Sequence, residues 1–239
     1  MLNGSKAEKL MPSAETTLAP LDPQALAGLR EHVHRALRQA ILSGGYAPGV
    51  RLNERSIAEQ LGVSTTPVKE ALRLLEADGL VRTKPRSGVI VNFDYAWAEE
   101  MILARAAIES TIARLAAQRI TASEKPVLEA ILGDMRRATR DSGAEELVRL
   151  NEVFHNHIRS VARASYLRLL NDRQEVYDSN ARRVIHSNPA ERERALTEHD
   201  AIGRAVIAQD AKAAETAMKA HVLRAGETYL DLVFRKDKD

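Results

Sequence analysis

The sequence predicts a mostly α-helical protein, with an N-terminal winged helix-turn-helix of three helices plus a β-hairpin, followed by an all-α helical bundle. Glycine and proline recur at short intervals up to about residue 92, whereas the only later prolines are Pro126 and Pro189. Within the first part, two short helical segments have a tight connection, and two short alternating segments, LVRTK and GVIVN, follow them. The second part consists of long segments of helical period, rich in Ala, Leu, Arg and Glu.

Composition excludes several classes of protein and site. The 239-residue chain has no cysteine, which excludes disulfides, thiolate catalysis and thiolate-bound zinc. No apolar run approaches the roughly 20 residues of a membrane helix, and residues 1–21 lack the apolar core of a signal peptide. We therefore expect a soluble, cytoplasmic protein with a flexible leader over residues 1–21. Residues 1–92 hold 12 Lys and Arg against 9 Asp and Glu, which favours a polyanionic partner there.

Three helices are predicted in the first part, which we place at residues 22–92. Asp22-Pro23 supplies an N-cap and a first-turn proline for a helix that ends at about Ser43. Asn53 caps a second, short helix that stops at Gly62. The third helix starts after a connection of about three residues, which is the spacing of a helix-turn-helix.

The third helix has a blunt N-terminus that is rich in hydrogen-bond donors. Ser64 caps it, Pro67 lies in its first turn, where a missing N–H costs no hydrogen bond, and Gly79 ends it. A helix N-terminus carries unpaired N–H groups and a partial positive charge, both of which suit a phosphate. The alternative is that Ser-Thr-Thr only caps a helix in a fold that binds no DNA. We expect DNA contacts at this terminus and at the hairpin tip, from Ser64, Thr65, Thr66, Lys69, Arg73, Arg86 and Gly88.

The stretch LRQAILSGGYAPGVRLNERSIAEQLGVSTTPVKEALRLLEADGLVRTKPRSGVIV closely resembles the DNA-binding domain of bacterial transcription regulators of the GntR family. The shared features include the turn formed by Pro48, Gly49 and Leu52 and a wing that ends in Gly88. The resemblance implies a double-stranded operator DNA partner. It assigns the operator contacts to Arg55, Ser64, Thr65, Thr66, Lys69 and the wing at Arg86–Gly88.

Two positions depart from the usual pattern of the family. Thr65 and Lys69 stand where GntR regulators usually carry arginines. An arginine that grips guanine bidentately contributes about 1–3 kcal/mol of discrimination, whereas threonine cannot do this and lysine is a less directional charge. We therefore expect an operator that differs from the family's usual one.

Residues 93–239 are predicted to be helical throughout. A capping box, Thr121-Ala-Ser-Glu124, starts the second helix of this part. The other predicted helices lie at about 95–119, 144–163, 165–186, 190–208 and 211–235.

Three histidines lie on apolar faces of three different predicted helices: His155, His199 and His221. One such histidine is usually a hydrogen-bonded core residue, but three on inward faces around one cavity could reach a single metal ion. Spacing alone leaves both interpretations open. The remaining histidines are interpreted as surface or local structural residues: His32, His34, His157 and His186.

From about residue 95 to 232 the chain resembles the all-helical effector domain, called FCD, of FadR-type GntR regulators. The markers are Arg105 with Glu109, Phe154-His155, Glu198-His199 and Ala220-His221. In many members an aspartate and three histidines bind a divalent cation, and a small carboxylate effector binds beside it. The resemblance therefore implies a divalent ion, zinc or similar, held by Asn151, His155, His199 and His221.

Two residues of this implied site carry further expectations. Asn151 replaces the usual aspartate, and we expect weaker metal binding because a negative charge is lost. Arg105 is the candidate for pairing with the effector carboxylate, since a guanidinium offers bidentate geometry. The alternative role for Arg105 is an interhelical salt bridge with a carboxylate such as Glu109 or Glu198.

These observations predict a homodimeric transcription regulator, a repressor by the family's norm, whose operator affinity depends on a carboxylate effector. A dimer is expected because one small winged domain gives too little affinity and too short a site. One alternative is a metal-dependent enzyme that uses His155, His199 and His221, although neither an HExxH nor a paired-carboxylate motif accompanies them. The other alternative is a helical scaffold that binds DNA without a ligand.

Overall fold

The computed structural model describes residues 23–141, 143–173 and 179–234, with side chains for all of these except 23–27, 173 and 179–181. The leader predicted over residues 1–21 lies outside the described residues. Within them, the architecture is the predicted one, a winged helix-turn-helix followed by a helical bundle. The first part contains α1 (Pro23–Leu42), α2 (Glu54–Leu61), α3 (Thr65–Ala77), β1 (Val81–Lys84) and β2 (Gly88–Val91).

Local signals set the ends of the helix-turn-helix. The Asn53 side chain accepts the backbone N–H groups of Arg55 and Ser56, and Gly62 ends α2 in a left-handed conformation. Ser64 occupies the N-cap position of α3, but within the described part of the chain its side chain makes no capping hydrogen bond. The prediction is therefore confirmed for the position of Ser64 at the N-cap but not for a capping hydrogen bond. The Ser64 hydroxyl is exposed and can bond to a partner.

The wing is a two-stranded antiparallel hairpin that is fixed to α3. Lys84 of β1 lies opposite Gly88 of β2. Arg51 forms a further bridge to Ile90, so the segment before α2 continues the sheet. The Glu76 carboxylate on α3 accepts a backbone N–H of β1 at 2.6 Å. The position of the hairpin therefore follows the position of the third helix.

The second part is a bundle in which the predicted helices recur with one difference. The segment predicted as a single helix over 165–186 contributes two helices, and residues 174–178 between them lie outside the described residues. Among the helices that the structure describes, none has the length and apolar character needed to cross a membrane. Their bounds are α4 (Tyr95–Arg119), α5 (Lys125–Asp141), α6 (Ala144–Ala162), α7 (Ser165–Arg173), α8 (Ser179–Ser187), α9 (Pro189–Ile207) and α10 (Ala211–Phe234).

Only one of the two hydrogen bonds of the predicted capping box before α5 is present. The Glu124 carboxylate accepts the Thr121 N–H at 2.9 Å, as a capping box requires. The Glu124 N–H, however, donates to the Thr121 carbonyl, and the Thr121 hydroxyl bonds to the same carboxylate. The Thr121 N–H and the Arg163 guanidinium together lower the pKa of Glu124 to about 2. This carboxylate thereby joins the start of α5 to the end of α6.

The apolar core of the winged part continues into the first turns of α4 and the last turns of α10. Phe93 packs edge-on against Trp97 and also contacts Phe234, with ring centres 5.9 and 5.4 Å apart. Gly79 has a left-handed φ of 78°, and a Cβ there would lie 2.9 Å from the Trp97 indole. Only glycine meets both conditions without strain. A second core fills the bundle between α4, α5, α6, α9 and α10.

A buried hydrogen bond joins the two parts at this junction. Tyr229 on α10 is fully buried, and its hydroxyl donates to the Leu42 carbonyl at 2.5 Å. Leu42 is the last residue of α1, where carbonyls lack partners within the helix. The bond therefore stabilises the end of α1 and ties it to the helix that crosses the bundle.

Replacing Tyr229 with phenylalanine should lower the free energy of unfolding by about 1–2 kcal/mol, because the Leu42 carbonyl would stay buried without this donor. Chemical denaturation followed by circular dichroism measures the effect. Tyr166→Phe is the matched control, since Tyr166 is 69% exposed and should give no change. Equal stability of the Tyr229→Phe variant and the wild type would contradict the structural role of the hydroxyl.

Candidate functional site

The residues predicted to contact DNA lie on α3, on the first turn of α2 and at the hairpin tip. Those on or beside α3 are Ser64, Thr65, Thr66, Lys69 and Arg73, of which Thr65 is half-buried and the others are exposed. The Lys69 ammonium lies 3.8 Å from the Glu54 carboxylate at the start of α2. Arg55, the next residue, is therefore close to the first turns of α3. Exposed pairs of this kind are weak, so Lys69 can exchange Glu54 for a phosphate.

The hairpin tip provides a second point of approach. Arg86 and Gly88 have left-handed φ values of 66° and 77°. A Cβ on Gly88 would lie 3.3 Å from the Arg51 guanidinium, so glycine lets this side chain pack closely against the wing backbone. Among the described residues, no hydrogen bond or ion pair joins Arg86 to the predicted contact residues of α3. The hairpin tip and the start of α3 are therefore two separate groups of predicted contact residues.

The three histidines predicted on inward faces converge in the bundle. His155 on α6, His199 on α9 and His221 on α10 are each at most 6% exposed, and one ring nitrogen of each lies within 4.8 Å of the others. The Nε2 atoms of His155 and His199 are 3.4 Å apart. The apolar ring of Phe154 packs edge-on against both His199 and His155. The helical period of the sequence thus identified the right faces.

Carboxylates fix the tautomers of two of these rings. Nδ1 of His155 lies 3.2 Å from Glu109, and Nδ1 of His221 lies 2.8 Å from Glu198. An ionised carboxylate only accepts hydrogen bonds, so Nδ1 carries the proton and the lone pair of the neutral ring is on Nε2. Histidines that bind metals in proteins are oriented in the same way by a carboxylate on the far nitrogen.

His155 and His199 are neutral near pH 7. Burial lowers the pKa of His155 to about 4, although Glu109 opposes the shift. Burial and the neighbouring imidazoles also hold the pKa of His199 well below its ordinary value. Burial alone would raise the pKa of Glu109, but Arg105 and His155 outweigh it and hold that pKa well below the usual range. The site therefore combines neutral nitrogen donors with an ionised carboxylate behind them.

The donor set fits a divalent transition-metal ion. Two nitrogens on one tetrahedral zinc lie about 3.3–3.4 Å apart, given Zn–N distances of about 2.0–2.1 Å, and the His155–His199 separation matches this. Asn151, the fourth predicted ligand, is half-buried one turn before His155 and lines the same cavity. Imidazoles and an amide oxygen suit zinc and its neighbours in the transition series.

Two cavities meet at this site. A small one of about 50 Å³ lies over the histidines, and a second of about 200 Å³ lies beside it. Arg105, Asn151, His155 and Arg182 line both of them. The first has room for an ion and a few waters, and the second for a small organic molecule. Polar residues make up most of the second wall: Glu152, Asn156, Arg159, Asn171 and Asp172.

Arg105 lies at the wall of both cavities and is also part of a buried ion pair. Its Nε donates to Glu109 at 2.7 Å, and both side chains are almost fully buried. The salt bridge considered as an alternative therefore exists, but the expectation of an interhelical pair is wrong because both residues lie on α4. The same carboxylate also lies 3.7 Å from Arg159. Glu109 thus joins two arginines and a histidine.

Sequence reasoning missed three nitrogen-bearing side chains in the wall of the smaller cavity. His186 on α8, expected at the surface or in a local role, is half-buried in the wall, where burial and the nearby Arg182 and Arg192 lower its pKa to about 4. Arg224 donates to Glu198 at 2.9 Å and to Glu191 at 2.6 Å, which ties α10 to α9. Arg182 is the third. The only available signal was that Arg224 follows His221 by three residues.

Two family models match this chain. The model described as "Bacterial regulatory proteins, gntR family" matches residues 29–91, and the model described as "FCD domain" matches residues 100–224. The first range contains the helix-turn-helix and the wing. The second contains the whole histidine cluster.

Named relatives and solved structures agree with these matches. The transcriptional repressor RspR of Escherichia coli is 28% identical over 217 residues, which cover 90% of this chain and 93% of RspR. An HTH-type transcriptional regulator from an unstable DNA locus of Streptomyces ambofaciens is 32% identical over 199 residues, 81% of each chain. The structure of E. coli McbR/YncC shares the fold, with a TM-score of 0.60 and 23% identity over 84% of this chain and 96% of that one.

Replacing Glu109 with alanine should destabilise the protein by about 3–5 kcal/mol, because it would leave the Arg105 cation buried without its carboxylate. Urea unfolding of the metal-free protein measures the loss. Glu146→Ala is the matched control, since Glu146 pairs with Arg149 three residues away on an exposed face and should change little. Similar losses in the two variants would show that burial does not strengthen the Glu109 pair.

Proposed function

The chain belongs to the GntR family of bacterial regulatory proteins and carries the FCD domain, and on that premise we propose a homodimeric repressor controlled by a carboxylate effector. It is a DNA-binding transcription regulator with an effector-binding C-terminal domain. We assign residues 22–92 to DNA binding and residues 93–239 to effector binding and dimerisation. Repression is supported by the name of the relative RspR. Because operator DNA lies in the bacterial cytoplasm, the proposal also places the protein there.

The DNA-binding step rests on the blunt terminus of α3 and on the wing. Ser64, Thr65 and Thr66 present short hydroxyl side chains beside unpaired backbone N–H groups, which suits close approach to phosphates and base edges. Arg55 and Lys69 add positive charge on the same surface, and Arg86 adds it at the wing. Thr65 and Lys69 lack the forked geometry with which arginine reads guanine. The operator is therefore proposed to differ from the family's usual one.

The observation that carries the effector proposal is the buried histidine cluster with its two oriented rings. Glu109 and Glu198 hold the Nδ1 protons of His155 and His221, so the lone pairs of both rings are on Nε2, and Nε2 of His199 lies 3.4 Å from that of His155. A divalent ion would accept these lone pairs, with His199 and Asn151 as further ligands. The bound ion would provide a Lewis-acidic anchor for an anionic group.

The adjoining 200 Å³ cavity supports a small carboxylate as effector. Arg105 and Arg182 line both cavities, so cationic groups border the cluster as well as the larger cavity. A guanidinium and a metal ion are the two protein groups best suited to a carboxylate. Arg105 would keep its bond to Glu109 and also contact the ligand.

The alternatives of enzyme and ligand-independent scaffold lead to different measurements. The relatives named above are transcription regulators, and the family description names regulatory proteins. A metal-dependent enzyme would show turnover that depends on the ion, whereas a scaffold would bind DNA equally with and without ion or effector. Metal analysis of purified protein, followed by operator binding with and without chelator, separates the three.

Replacing Lys69 with alanine should weaken operator binding and reduce the slope of log K against log salt by about one unit, because one phosphate contact is lost. Fluorescence anisotropy across a salt series measures both quantities. Lys125→Ala on α5, far along the chain from the winged part, is the control of matched charge. An unchanged salt slope would contradict the phosphate contact.

Combined replacement of His199 and His221 with alanine should abolish stoichiometric zinc uptake, because two of three imidazole ligands are removed. Asn151→Asp should have the opposite effect and tighten zinc binding tenfold or more, since it restores a negative ligand. Metal content after stripping and reloading, with competition against a chromogenic chelator, measures both. His32→Ala on the exposed face of α1 is the control. A fully loaded double variant would refute the ligand assignment.

A further inference from the structure

We propose that the outward face of helices α4 and α10 is the surface through which two copies of this chain associate. We call it the α4–α10 face. The inference rests on the homodimer of the proposed function and goes further, because it names the residues that meet and the register of the contact. The opposite side of the same helix pair lines the effector cavities.

The α4–α10 face has an exposed apolar centre. Two grooves, of about 490 and 610 Å³, run along it. Leu103 is 55% exposed and Tyr95 40%, both beside the first groove. Leu223 lines both grooves and so marks the point where they meet. Contiguous apolar surface of this kind on a soluble protein indicates an interaction site.

Opposite charges occupy the two ends of the face. The groove near the winged part is lined by Glu99, Glu227 and Asp231. The groove at the far end is lined by Lys212 and Lys219, with Glu215 as its one carboxylate. The lining of the first end is therefore acidic, and that of the second is mainly basic. A face with separated charges of this kind is complementary to a copy of itself turned end to end.

The sequence of α10 places this symmetry at Leu223. Lys219 and Glu227 lie four residues before and four residues after it, on the same side of the helix. A two-fold axis through Leu223 puts Lys219 of each copy opposite Glu227 of the other, so the contact occurs twice. Among the ion pairs of the described residues, none involves Lys219 or Glu227. Both side chains are exposed and can form ion pairs with a second copy.

The same arrangement separates the two winged parts. Each α4 starts at the winged part and reaches Leu103 after eight residues, about 12 Å. An antiparallel pair centred near Leu103 and Leu223 therefore holds the two starts of α4 roughly 25 Å apart along the helix axes, before the width of the winged parts is added. Operator half-sites one helical turn apart are separated by about 34–36 Å. The proposed register therefore requires the two winged parts to supply the remaining distance of about 10 Å.

The test is a charge exchange between two variants. Lys219→Glu and Glu227→Lys should each raise the dissociation constant of the dimer about tenfold or more, because two attractive pairs become repulsive. An equimolar mixture of the two variants should form heterodimers, since each of their contacts again joins opposite charges. Light scattering coupled to size exclusion measures the mass across a dilution series.

Two further variants keep the outcome interpretable. Glu129→Lys on α5 reverses a charge outside the face and should leave the dimer unchanged. Leu103→Glu should give a monomer whose helical circular dichroism matches the wild type. Dimers that persist in both single variants, or a mixture that stays monomeric, would overturn the proposed face. A monomeric wild type would overturn the homodimer itself, whereas a dimer that fails to bind operator DNA would refute only the DNA-binding proposal.

Discussion

The close approach of α4 and α10 at Gly226 is the contact on which the rest of the molecule depends. A Cβ on Gly226 would lie 2.3 Å from Cγ2 of Ile102, so no larger residue fits between the two helices without moving them. The paired helices then serve three surfaces at once. Their inner side holds Arg105 and His221 at the cavities, their ends pack on the winged part, and their outer side is the α4–α10 face. A shift of one helix against the other would displace residues on all three surfaces.

This arrangement gives effector control a physical route. His221 lines the cavity, and Tyr229, eight residues or about 12 Å further along α10, is bonded to the end of α1. A displacement of His221 that carried α10 along its axis would therefore also move the Tyr229 hydroxyl that bonds the Leu42 carbonyl. Control of operator affinity then requires only that ion and effector favour one position of α10 over another. The size of the response is the difference in their affinity for the two positions.

Local and periodic signals predicted most of the fold, whereas contacts between helices were beyond them. Asn53 and Gly62 delimit α2 because their chemistry is local, and the 3.6-residue period placed His155 on the correct face. The same reasoning could not foresee that Glu109 would join two arginines and a histidine, since that depends on how α4 packs against α6. His186 was misplaced for a related reason, because only the packing of α8 turns it into the cavity wall.

The asparagine at position 151 changes the electrostatics of the site more than its shape. With His155 and His199 neutral and an amide in place of the usual carboxylate, no direct ligand would neutralise a bound divalent ion, and the carboxylates of Glu109 and Glu198 lie behind His155 and His221. Such a site would hold the ion more weakly than one with an aspartate ligand and would attract an anion more strongly. A carboxylate effector would then complete the charge balance that an aspartate usually provides. Since coupling of this kind is reciprocal, ion and effector should each tighten the binding of the other.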